Sequence, residues 1–107
     1  RCDDICYFRA RDGGERPFFP DTIRRMILLA DPRITDYLVV QEQTGQLHIH
    51  LALEPGAPFA EIVHVVRQSV EQIIAHYGCL PAIVQVSEGI QVLEPGVKRR
   101  RVQRHIS

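Results

Sequence analysis

Gln46-Leu47-His48-Ile49-His50-Leu51-Ala52-Leu53 decides the fold. Aliphatic residues recur at every second position, at Leu47, Ile49, Leu51 and Leu53, with Gln46, His48, His50 and Ala52 between them. Successive side chains of a strand point to opposite faces, so this is a strand with one face in a core and the other open. Just upstream, Thr44-Gly45 is a tight turn. Before it, residues 34–43 are rich in β-branched side chains, with Tyr37 and Val39 alternating against Leu38 and Val40. That predicts a second strand and, with the first, a hairpin. Downstream, Glu54-Pro55-Gly56-Ala57-Pro58 is a loop. Residues 59–77 then read as the longest helix, with Phe59, Ile62, Val63, Val66, Val70, Ile73, Ile74 and Tyr77 forming an apolar stripe and Gly78 ending it.

The flanks extend this pattern. Ile5-Cys6-Tyr7-Phe8 reads as a short strand. Arg11 to Pro17 is a turn containing Gly13-Gly14, after which Phe18-Phe19 returns briefly. A helix opens at Pro20-Asp21-Thr22, with Asp21 or Thr22 as its expected N-cap. Ile23, Met26, Ile27 and Ala30 fall at helical spacing, and Asp31-Pro32 stops it. Residues 82–86 predict another strand and residues 90–93 one more. The resulting order is β-α-β-β-α-β. Two helices do not cover both faces of a sheet this small. The expected fold class is therefore α+β, a small open-faced sandwich with a mainly antiparallel sheet and both helices on one face.

At 107 residues the chain has room for one core. A hydrophobic content of 45% is too high for a disordered chain. No apolar run approaches the roughly 20 residues a membrane-spanning helix needs. Three cysteines, Cys2, Cys6 and Cys79, make an odd and sparse set, which argues against a disulfide framework and for a reducing, cytoplasmic setting. The chain shows no signal peptide and begins with Arg1, which suggests an excised domain. Its net charge of zero hides an asymmetry. Residues 95–107 hold Lys98, Arg99, Arg100, Arg101 and Arg104 without an acid, so the body before them is acidic. Lys98, just after Pro95-Gly96-Val97, is the only lysine among thirteen basic residues. A lone ammonium in an arginine-rich chain marks a position that wants a compact point cation rather than a planar fork. Read by itself, the tail is a solvated basic terminus.

Both ends together resemble a known family. Arg1-x-Asp3-Asp4, then a short strand, a loop and a helix opening with Pro20-Asp21-x-Ile23, resembles the start of the mobile C-terminal domain of adenylate-forming enzymes. These include acyl-CoA synthetases, luciferases and nonribosomal peptide adenylation domains. At the other end, Lys98-x-x-Arg101-Val102 is similar to the closing segment of that domain in the phenylacetate-CoA ligase branch. The resemblance implies that residues 1–107 form a mobile lid domain. Asp3 would be the hinge, Arg1 and Arg101 would lie near the nucleotide, and Lys98 would be the catalytic residue between ATP phosphate and substrate carboxylate. ATP and Mg²⁺ would be held mainly by an N-terminal ATP- and substrate-binding domain of the same polypeptide. The substrate would be a small-molecule carboxylate, activated as its acyl-adenylate. An ammonium placed between two anions offsets charge that grows as they react. Two departures stand out. Val97 separates Gly96 from Lys98, where the family joins glycine and lysine directly. Residues 9–16 form a longer, charged loop, which counts against CoA as acceptor and favours relatives resembling deazaflavin-cofactor adenylylating synthetases. The chain has no glycine-rich phosphate loop, so this domain by itself is expected to be inactive.

Other readings carry less. His48 and His50 share the open strand face, but no Cys or acid stands at a supporting spacing, so a plain hairpin surface is favoured over a metal site. Cys6 is expected in the core, which leaves Cys2 and Cys79 short of a zinc set. His64 and His76 read as solvated helix residues, and Asp36 and Glu42 as surface charges. A sensing module that binds amino acids at a dimer interface shares the element order and is the alternative function. Nucleic-acid binding ranks last, because the five tail cations have no aromatic among them.

Overall fold

The structure, a computed structural model, describes residues 3–90 and 100–105. In chain order its elements are β1 (Cys6–Arg9), β2 (Glu15–Phe18), α1 (Pro20–Leu28), β3 (Ile34–Gln41), β4 (Gln46–Leu53), α2 (Phe59–His76), β5 (Ile83–Glu88) and β6 (Val102–Arg104). The fold is α+β, as the periodicities require. Arg1, Lys98 and all but the first residue of the strand expected at 90–93 lie outside the described residues.

The β3–β4 hairpin is the centre of a four-stranded sheet with order β5-β4-β3-β6. It is antiparallel, pairing Tyr37 with Leu51 and Val39 with Ile49, and Gly45 makes its turn at φ +80. The two outer strands run parallel to their neighbours, so the sheet is mixed. The reason lies in the connections. Helix α2 carries the chain from β4 back to the start of β5, and a helical crossover delivers a parallel strand. β1 and β2 form a separate antiparallel ribbon.

Leu47, Ile49, Leu51, Tyr37 and Val39 are buried on one face. They join Ile23, Met26 and Ile27 of α1 and Ile62, Val66, Val70 and Ile74 of α2 in a single core. The two helices touch each other there, and the Ser69 hydroxyl donates to the Met26 carbonyl at 2.7 Å. The ribbon closes the core with Cys6, Phe8 and Phe18, whose two phenyl rings lie 4.6 Å apart. His48 and His50 lie on the other, open face. Two local readings need correction. The N-cap of α1 is Phe19, without a side-chain cap, and Pro20 opens the helix. Asp21 sits in its first turn, where a carboxylate favours the helix dipole. The basic tail is no loose terminus throughout, because residues 102–104 form β6 against β3.

Candidate functional site at the joined chain ends

Strand β6 brings the end of the chain against its beginning. Asp3 Oδ1 accepts the backbone N–H of Arg101 at 2.8 Å and that of Val102 at 3.2 Å. Asp4 donates its N–H to the Val102 carbonyl at 2.9 Å, and its carboxylate accepts the Arg104 N–H at 2.8 Å. Arg100 Nη1 reaches both Asp4 oxygens at 3.1 Å. Charge-assisted bonds of this kind are stronger than neutral ones. Of the residues the sequence singled out, Asp3 and Arg101 therefore meet directly. Arg1 and Lys98 are not described, and Lys98 lies two residues before Arg100.

Arg101 extends the site to β3. Its Nε donates to Asp36 Oδ1 at 2.8 Å, and that bond raises the guanidinium pKa further. Asp36 is thus a working partner and not a plain surface charge. Between Ile34 and Asp36 the β3–β4 register shifts, leaving Thr35 as an extra residue whose hydroxyl donates to the Ala52 carbonyl at 3.1 Å. Bulges of this kind re-aim side chains. Here the bulge lets Ile34 and Tyr37, three residues apart, both face the core. Burial raises the Tyr37 phenol pKa, and the Asp3 carboxylate adds to the shift.

Beside this group, Arg104 donates from Nε to Gln41 Oε1 at 3.0 Å and from Nη2 to Thr44 Oγ1 at 3.1 Å, with its guanidinium 4.8 Å from the Tyr7 ring centroid. Gln41, fully buried, also accepts the Tyr7 N–H at 2.9 Å and donates to the carbonyls of Tyr7 and Gln46. The sequence took Asp36 for a surface charge and Arg104 for part of a solvated tail, and it did not single out Gln41. One signal was present: Gln41 continues the inward positions Tyr37 and Val39, and a polar residue at an inward position needs partners.

This architecture has a solved counterpart. The chain is similar to a domain of phenylacetate-coenzyme A ligase from Bacteroides vulgatus, with a TM-score of 0.59 and 14% sequence identity over 98% of this chain and 95% of that one. At that identity the likeness is one of fold. No family model matches the chain, and no curated protein does.

The remaining candidates sort by place. His48 and His50 stack with ring centroids 4.1 Å apart, and His48 Nε2 lies 2.9 Å from Ser87 Oγ. Burial and the neighbouring His48 lower the His50 pKa. Among the described residues no three His, Cys, Asp or Glu side chains gather around a common point. Cys6 is in the core, where desolvation pushes its thiol up to about 12, and Cys79 is buried with its thiol also raised by burial. Neither has the electropositive, accessible setting of a reactive thiol. His64 and His76 are exposed on α2. No described helix is long and apolar enough to cross a membrane.

Proposed function

We propose that this chain is the C-terminal domain of an ATP-dependent adenylate-forming ligase and supplies that enzyme's hinge and catalytic lysine. The observation that carries the reading is the likeness of nearly the whole chain to a domain of phenylacetate-coenzyme A ligase. The pairing of Asp3 with the backbone of Arg101 and Val102, which joins the two motifs, supports it. In this reading Asp3 is the residue about which the domain turns, and Lys98 rides on the segment that the Asp3 carboxylate anchors at residues 101 and 102. Arg1 and Arg101 face the nucleotide. With Nε held by Asp36, Arg101 offers its terminal nitrogens to a phosphate.

ATP and Mg²⁺ belong mainly to a separate N-terminal domain. The described residues offer no carboxylate cluster for the cation and no glycine-rich loop for the phosphates. When bound, ATP supplies the electrophilic α-phosphate. Lys98 acts by holding a positive charge where carboxylate and phosphate anions converge. The exposed, charged residues 11–16, which run from the ribbon's turn into β2, speak against CoA as acceptor.

The test is Lys98→Ala in the polypeptide that joins this chain to an ATP-binding domain, assayed for carboxylate-dependent pyrophosphate exchange across a panel of aryl and aliphatic acids. Exchange should fall by about two to three orders of magnitude, as for loss of one preorganised charge at a reacting centre. The circular dichroism spectrum should not change. Undiminished exchange in the folded variant would sink the reading, and so would exchange by residues 1–107 alone.

A further inference from the structure

A cleft of about 380 Å³ opens between the second half of α1, the bulged start of β3 and the backbone leading into β6. Its walls carry Arg24, Tyr37 and Arg101 together with the carboxylates of Asp3 and Asp36. Tyr37 is 3% exposed, yet among the described residues its hydroxyl has no hydrogen-bond partner. Tyr37 lines the cleft together with Asp3, Arg24, Asp36 and Arg101, and the charges of all four act on its phenol. A buried hydroxyl without a partner is uncommon, because desolvating it costs free energy that a bond normally offsets.

The hydrogen-bonding capacity left over in the cleft is mostly that of donors. Asp3 Oδ1 already takes two backbone N–H groups. Asp36 Oδ1 takes the Tyr37 N–H at 2.8 Å and Arg101 Nε. Arg24 has no hydrogen bond or ion pair among the described residues, and Arg101 uses only Nε. Apart from the second carboxylate oxygen of Asp3, what remains is a set of donors: a whole guanidinium, the terminal nitrogens of a second, and a phenolic O–H. Leu28 supplies an apolar wall. Arginine forks match the oxygens of a phosphate, and Asp36 keeps the Arg101 fork in place through Nε.

We propose that this cleft binds the phosphate group of a small phosphorylated molecule, received by Arg24, the terminal nitrogens of Arg101 and the Tyr37 hydroxyl. Arg101 also serves the adenylate-forming reading. Arg24 and Tyr37 are new, and the site requires no adenylation chemistry.

The test uses residues 1–107, labelled with ¹⁵N and titrated with inorganic phosphate, with AMP and, as control, with acetate. Saturable shifts should appear at the Tyr37 amide and at the Nε groups of Arg24 and Arg101. Arg24→Ala should weaken phosphate binding about tenfold or more, the usual consequence of losing a hydrogen bond to a charged group. Tyr37→Phe keeps the ring in the core and should also weaken it. Tighter binding of AMP than of phosphate assigns a nucleotide, and equal binding assigns the free anion; both support the site. Absence of saturable shifts, unchanged affinity in Arg24→Ala and Tyr37→Phe, or acetate bound as well as phosphate would each overturn it. A failed adenylation assay has no bearing on this result.

Discussion

His50 shows how one side chain's surroundings set its chemistry. Its ring is half-buried on the open face of β4 and stacks on His48. Burial first, and the neighbouring imidazole second, disfavour its charged form. The folded protein therefore takes up this proton at lower pH than the unfolded chain does. The contribution to stability is whole above the ordinary value of about 6.5 and falls as pH drops through it. A proton NMR titration should place the His50 midpoint below that of a free histidine, and His48→Ala should move it back up. A midpoint at or above the ordinary value would contradict this account. Asp31 is the opposite case: two hydrogen bonds from the Arg33 side chain and one from its backbone hold the carboxyl at about 2. A depressed carboxyl favours the folded state above its ordinary range and loses that contribution as pH falls toward the folded value.

Helix α2 and strand β4 were readable because each carries its own period. Ile62, Val66, Val70 and Ile74 follow at four-residue steps, and all are buried. The wider stripe read from sequence included Tyr77, which is 45% exposed because the helix ends at His76 and Gly78 turns the chain away at φ +78. Ile62 is fully buried, so Ile62→Ala should cost about 2–5 kcal/mol in urea unfolding. Leu80→Ala, at a 45% exposed position, should change stability by no more than about 0.5 kcal/mol. Equal effects would mean that the helix is not packed as described. β6 was illegible for a different reason. Three residues, Val102-Gln103-Arg104, are too few to establish a period, and four of their neighbours are arginines or lysine. Its strand character comes from β3, where Val102 lies beside Val39 and is fully buried.

At the scale of the molecule, Gln41 is the junction. Its one amide joins the β1–β2 ribbon through Tyr7, the β3–β4 turn through Gln46, and the C-terminal strand through Arg104. Gln41→Leu would keep the volume and strand it among several buried polar groups without partners. Each such group costs about 1–3 kcal/mol, so we expect a loss of at least about 2 kcal/mol. Hydrogen exchange should show the Tyr7 and Arg104 amides losing protection together, although they are far apart in sequence. Loss at one amide without the other would separate the ribbon from the tail strand and refute the junction.

Much of the architecture follows from the chain alone. Alternation at 46–53, the helical stripe from residue 59 and the punctuating Gly45 and Gly78 are local patterns, and burial must match them residue by residue. The hinge and lysine motifs are equally local, so Asp3, Lys98, Arg1 and Arg101 were named as candidates without a structure. The sheet order, the parallel outer strands and the partners of Asp3, Asp36, Gln41 and Arg104 are not local. Asp3 and Arg101 are 98 residues apart and meet only because β6 adds to the edge of β3. A carboxylate at residue 3 looks the same in the sequence whether water or a distant backbone amide satisfies it. Only the tertiary packing brings that amide within 2.8 Å, and the cleft holding Arg24 and Tyr37 exists for the same reason.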